Sequence, residues 1–151
     1  MNSLSVFAGV LLFFACSFVG LWLKRRFNRK ASFYEEYYRY LLYVLDKISY
    51  ERTPFSEMNQ GFCANQNSEF FDYLLGEAST PPISDAEIAN VGKYLSEIGT
   101  TDADTQIASL GGKCAEMKRF SENEVVKYRK DGTVYFKLSV LFGIVVFIII
   151  V

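Results

Sequence analysis

Histidine is absent from the 151-residue sequence, and with it go the commonest side-chain metal ligand and the commonest general base. The three cysteines, Cys16, Cys63 and Cys114, lie far apart without C-x-x-C spacing, so the chain carries the pattern of neither a thiolate metal site nor a redox pair. Odd in number and unpaired, they suit a reducing compartment better than an oxidising one. No G-x-x-x-x-G-K-[ST] run occurs, which excludes a phosphate loop of the usual kind. Strand-like alternation of apolar and polar residues is missing as well, and with it the signal for a β-sheet.

What is present is unevenly placed. The formal net charge of −1 conceals a strongly acidic middle: Glu51 to Glu116 holds eleven acids, including Glu57, Glu69, Asp72, Asp85, Asp102 and Asp104, against Arg52, Lys93 and Lys113 alone. The bases crowd instead beside two apolar ends, as Lys24, Arg25, Arg26, Arg29 and Lys30, and as Arg129, Lys130 and Lys137. A domain with this balance offers no basic groove to single-stranded nucleic acid, so its many tyrosines read as core and interface rather than as base-stacking platforms.

Residues 4–23, LSVFAGVLLFFACSFVGLWL, carry no charge. As a helix rising ~1.5 Å per residue they cover about 30 Å, the thickness of a bilayer's hydrocarbon core. The positive charge follows this run rather than preceding it, which is the reverse of a cleavable signal peptide, so an uncleaved transmembrane helix is expected. At the other end, Leu138 to Val151 gives only about 21 Å. Lys137 can send its ammonium back toward the headgroups and let Val134, Tyr135 and Phe136 lie in the interface, which makes 134–151 a second span. Both spans have their cationic edge toward the middle of the chain, so the intervening domain, 24–133, is expected in the cytoplasm and both termini outside.

Helical signals fill that domain. Tyr34, Tyr37, Tyr38, Leu41, Leu42, Leu45 and Ile48 form an amphipathic stripe continuing from the first span. Thr53 as N-cap with Pro54 at the first helical position predicts a new helix burying Phe55, Met58 and Phe62. Ser68 caps a short helix burying Phe70, Phe71, Leu74 and Leu75. Ser84 with Glu87 is a capping box for a helix that buries Ile88, Val91 and Leu95 and ends at Gly99. Thr101 or Asp102 starts the last helix, with Ile107, Leu110, Cys114 and Met117 inward. The expected class is all-α: an antiparallel bundle of about five helices flanked by N- and C-terminal transmembrane helices.

No catalytic, cofactor or metal residues stand out, because Asp102 and Asp104 are accounted for by capping and the helix dipole. Glu97, Asp102 and Asp104 are the candidates for partner binding, as the acidic surface best suited to a basic patch on a cytoplasmic protein. Tyr50, Thr53 and Pro54 are expected to set a helix corner. Gly9 and Gly20 mark places where membrane helices approach closely.

Three segments carry a family resemblance: Leu45-Asp-Lys-Ile48-Ser-Tyr50-Glu-Arg-Thr53-Pro54-Phe55-Ser-Glu57, then Leu95-Ser-Glu-Ile-Gly99-Thr-Thr-Asp102-Ala-Asp-Thr-Gln106, then Lys127-Tyr128-Arg129 before the terminal apolar helix. Over essentially its whole length the chain resembles the stage III sporulation protein AB family of endospore-forming bacteria. It departs from that pattern at Phe55, where leucine is usual, and at Ile98, where an aromatic commonly precedes the glycine; both positions stay apolar. The resemblance marks Tyr50, Thr53, Pro54, Gly99 and Gln106 as structural motif residues. It implies a soluble domain similar to the cytoplasmic helical domains of the platform protein of type II secretion and type IV pilus systems. The implied role is a non-enzymatic part of a channel-like complex in the mother-cell membrane around the forespore. Its implied partners are a cytoplasmic secretion-type ATPase encoded beside it, other stage III sporulation proteins and, in a homo-oligomer, further copies of the chain. The alternative is a membrane-anchored regulator whose helical domain sequesters a soluble cytoplasmic factor.

Overall fold

A computed structural model of the chain describes residues 3–50, 55–63, 68–76 and 80–150. The protein is all-helical: 90% of the described residues are in helix, and no strand occurs among them. In order come α1 (Ser3–Tyr50), α2 (Phe55–Cys63), α3 (Glu69–Leu74), α4 (Asp85–Glu97), α5 (Ala103–Phe120), a single π-helical turn (Ser121–Val125) and α6 (Val126–Ile150). Contacts divide the chain into two compact units, Met1–Ala31 with Val126–Val151, and Ser32–Val125.

Helix α1 is one unbroken element of 48 residues, because no proline interrupts it and the apolar run passes directly into the tyrosine-rich stripe. At the other end α5, the π turn and α6 also run on without a break from Ala103 to Ile150. These two helices are long and apolar enough to cross a membrane. Only 11% and 6% of their most apolar windows are buried, whereas the core helix of a water-soluble protein buries most of its apolar face.

The first unit, formed by the start of α1 and by α6, is an antiparallel pair in which small residues meet large ones. A Cβ added to Gly20 would lie 2.7 Å from the Ser139 Cβ, one on Gly132 would lie 3.1 Å from the Phe27 Cβ, and one on Gly143 would lie 3.1 Å from the Phe13 ring. Gly9 is buried too. Phe27 and Tyr135 stack with centroids 5.6 Å apart. Large apolar side chains point outward instead: Phe7, Phe14, Phe18, Phe142 and Ile149 are all more than half exposed. At the inner edge Lys24 lies over the Phe136 ring, Arg26 over Trp22 and Lys30 over Tyr128, so aromatic rings and cations share one level.

The second unit is built on aromatic packing. Phe70 of α3 meets Phe33, Tyr37 and Tyr40 of α1 at centroid distances of 5.4, 5.7 and 5.7 Å. Phe62 of α2 bridges Tyr40, Tyr43 and Phe71. Val91, Ile98, Leu110, Cys114, Met117 and Val125 complete the core. The inward face of α1 is thus Phe33, Tyr34, Tyr37, Tyr40, Leu41 and Val44, rotated from the expected stripe, with Leu42 exposed. The π turn ends at the buried Val125 and leads directly into α6.

Two tyrosine hydroxyls tie the packing to polar partners: Tyr34 donates to Glu87 Oε1 at 2.8 Å, and Tyr40 donates to Asn59 Oδ1. The expected capping box is present, with the Glu87 N–H donating to Ser84 Oγ and the Ser84 N–H donating to Glu87 Oε2. At Ser68 the expectation needs correcting. The residue stands at the N-cap of α3 but its side chain makes no cap hydrogen bond, and Leu75, expected inward, is half exposed. Thr53 and Pro54, expected to open α2, lie outside the described residues.

Candidate functional site

The residues singled out around Glu97 to Gln106 form the corner between α4 and α5. Helix α4 ends at Glu97, Ile98 is its C-cap, and Gly99 follows with φ +89°. That left-handed conformation favours glycine over a residue with a Cβ, which explains why glycine terminates the helix here. The freed Glu97 carbonyl accepts from the Thr100 hydroxyl at 2.7 Å. Two residues later Asp102 caps α5: its Oδ2 accepts from the Thr105 N–H at 3.2 Å and from the Thr105 hydroxyl at 3.1 Å. Those two hydrogen bonds, the hydroxyl's first, hold the Asp102 carboxyl below its ordinary range.

Between these two helix ends lies a cleft of about 240 Å³ lined by Tyr94, Glu97, Ile98, Thr100, Thr101, Thr105, Gln106, Ser109 and Leu110. Its walls combine apolar and polar groups. Ile98 and Leu110 are buried, while Glu97, Thr105 and Ser109 are exposed. Gln106 is only 7% exposed, and its Nε2 is buried without a hydrogen-bond partner. Such a donor leaves about 1–3 kcal/mol of desolvation uncompensated. Burial raises the Tyr94 phenol above its ordinary value, with a hydrogen bond to Ser109 acting in the opposite direction.

Of the sequence candidates, Glu97 and Gln106 line the cleft, Gly99 makes its turn, and Asp102 and Asp104 stand exposed at the start of α5. Tyr50 is elsewhere, at the end of α1 and 83% exposed; Thr53 and Pro54 lie outside the described residues. Sequence reasoning missed Tyr94, Thr105 and Ser109. Their signal was faint but real, since Tyr94 lies three residues before Glu97 and Ser109 three after Gln106, on the same helix faces.

The arrangement can hold a polar or charged side chain against an apolar floor. The cleft contains one carboxylate and no thiol. Burial pushes the Cys114 thiol up, away from the thiolate form a nucleophile needs. Among the described residues no three His, Cys, Asp or Glu side chains converge as a metal site. The chain shows no significant match to a protein-family model, a curated protein or a solved structure.

Proposed function

We propose that this chain is a non-enzymatic membrane platform of the stage III sporulation protein AB type. Its helical module, akin to the cytoplasmic domains of type II secretion platform proteins, is held at the inner face of the mother-cell membrane around the forespore. There it receives a secretion-type ATPase and joins other stage III proteins in a channel-like complex.

The observation that carries this reading is the division of charge between the two units. Residues 32–125 hold sixteen acids and seven bases, a net of −9, whereas residues 1–31 and 126–151 hold nine bases and one acid, a net of +8. Cations beside apolar helices favour the cytoplasmic side and attract anionic headgroups there. An acidic module is repelled by those same headgroups and is drawn to a basic protein surface. The two long apolar helices, whose large side chains face outward, supply the anchor.

Two measurements test the proposal. The full chain should stay with the membrane fraction through alkaline carbonate washing; recovery as a soluble protein without detergent would end the case. Reversing charge with Glu97→Lys and Asp104→Lys, together with Asp102→Asn to keep the helix cap, should lower co-purification of the ATPase from sporulating cells about tenfold, the loss of one or two charge-assisted contacts. Unchanged recovery would remove this acidic surface from the interface.

A further inference from the structure

The unpartnered amide of Gln106 and the cleft it lines can be read together. A buried donor without an acceptor is rare enough in folded proteins to call for an explanation, and here it accompanies an opening on the surface rather than a sealed core. The space of about 240 Å³ falls below the ~300–1,000 Å³ of small-molecule sites, so it suits one side chain and its peptide unit, not a metabolite. Ile98 and Leu110 offer an apolar floor, against which the aliphatic stem of a long side chain can lie. Glu97 supplies a carboxylate on the wall, with Asp102 and Asp104 following at the start of α5. Lys113, which lies over the Tyr94 ring at 5.5 Å, is bonded to both carboxylate oxygens of Glu116. Acidic peptides, phosphate groups and nucleic acid are repelled by such a wall and by the net −9 of the unit around it.

We infer that this cleft is an anchor site for a single basic side chain, arginine or lysine, carried on a loop of a protein partner, with the cation at Glu97 and a main-chain carbonyl of the loop accepting from Gln106. The inference deepens the platform reading and rests on it for the existence of a protein partner. Basic anchors in small desolvated pockets are the residues that concentrate binding energy at interfaces, arginine above all.

The test uses the full chain in zwitterionic lipid nanodiscs and a fluorescein-labelled nonapeptide of serine and glycine bearing one central arginine, alongside the same peptide with citrulline, which keeps the shape and lacks the charge. Fluorescence anisotropy should show the arginine peptide binding about tenfold more tightly than the citrulline one. Glu97→Gln should abolish that preference. Gln106→Leu should weaken both peptides about fivefold while melting at the same temperature or higher, because it removes an unsatisfied donor. Ser109→Tyr, which fills the cleft from an exposed position, should block both peptides even if the Gln106 variant does not fold. Glu57→Gln, which removes an exposed acid that does not line the cleft, should change nothing. Equal binding of the arginine and citrulline peptides, or an effect of Glu57→Gln as large as that of Glu97→Gln, would overturn the inference. The platform reading fails separately: arginine-selective binding with no ATPase recovered would sink that reading and leave the anchor site standing. ATPase recovered equally by wild type, Glu97→Gln and Ser109→Tyr would do the reverse.

Discussion

The two units solve packing in opposite ways. In residues 32–125 the interior is made of rings, with Phe70 touching three aromatic side chains of α1. In residues 1–31 and 126–151 many large rings, Phe7, Phe14, Phe18 and Phe142 among them, point outward, and glycines sit in the contact at Gly20, Gly132 and Gly143. Water rewards the burial of large apolar side chains at about 25 cal/mol per Å², so a module bathed in water gains by putting its phenylalanines inside. Lipid gives no such reward, because the surroundings are as apolar as the side chain, and helices associate there through close backbone approach at small residues. One chain thus carries two packing rules, and the opposite charges of the units, −9 and +8, follow the same division.

The largest expected effect tests the first rule. Phe70→Ala should cost the acidic module about 3–5 kcal/mol, the usual range for removing a buried phenylalanine. Its effect is separable because eight of the ten tyrosines lie in residues 32–125 while the single tryptophan, Trp22, lies in the other unit. Tyrosine near-ultraviolet circular dichroism should lose its cooperative melt at a lower temperature, with Trp22 fluorescence nearly unmoved. A joint shift of both signals would mean that the units unfold as one, and the comparison would fail.

The second rule predicts a smaller loss at a contact glycine, caused by adding atoms rather than removing them. Gly20→Leu places atoms where a Cβ already comes within 2.7 Å of Ser139, and should cost the helix pair about 1–3 kcal/mol as overpacking does elsewhere. Spin labels at Leu12 and Phe142 should report a broadened separation by double electron–electron resonance; an unchanged distance distribution would discard the close-approach argument. Gly112 of α5 meets nothing within 4 Å, so Gly112→Ala should instead stabilise the acidic module, by about 0.5–1 kcal/mol through helix propensity alone.

How much of this could be read from the sequence depended on whether a local signal was enough. The capping box at Ser84 and Glu87, the glycine stop at Gly99 and the Asp102 cap are short-range patterns, and the structure shows each where the residues put it. The inward face of α1 was harder. Eight of the eleven residues from Phe33 to Tyr43 are aromatic or aliphatic, so periodicity could not select Phe33, Tyr40 and Val44 over Tyr38 and Leu42. That choice is made by Phe70 and Phe62, which are distant in sequence. Gly20 was legible as a close contact, whereas Gly132 lies in a charged stretch where no membrane pattern drew attention to it. The cleft itself was half visible: Glu97 and Gln106 stood out, but only the turn at Gly99 brings them to the same opening.

Next come the two serines at helix starts, of which only Ser84 has a glutamate three residues on. Ser84→Ala removes the hydroxyl that accepts from the Glu87 N–H, leaving the Ser84 N–H still donating to Glu87 Oε2, and should cost about 1 kcal/mol. Ser68→Ala removes a hydroxyl whose oxygen is buried without a partner, and should be neutral or slightly stabilising, since nothing is lost but an uncompensated polar group. Thermal melts of the two variants side by side decide it; equal losses would imply a bond at Ser68 that the structure does not contain.

The smallest effect is a pH dependence at Asp102. Its carboxyl titrates below the ordinary value because the Thr105 hydroxyl and N–H both favour the charged form. A depressed folded-state pKa means that the unfolded chain takes up the proton first on acidification. The stabilisation from this group is therefore complete at neutral pH, where both states are ionised. It begins to fade as pH falls into the ordinary carboxylate range near ~3.9, and is gone below the lowered folded value. Asn caps a helix about as well as Asp but does not titrate, so Asp102→Asn isolates the charge. Wild type should melt slightly above the variant from pH 7 down to about pH 5 and converge on it as acid protonates the cap. A gap between the two that stays constant down to about pH 2.5 would show that the cap's geometry, and not its charge, sets the start of α5, leaving Glu97 as the only carboxylate the anchor site requires.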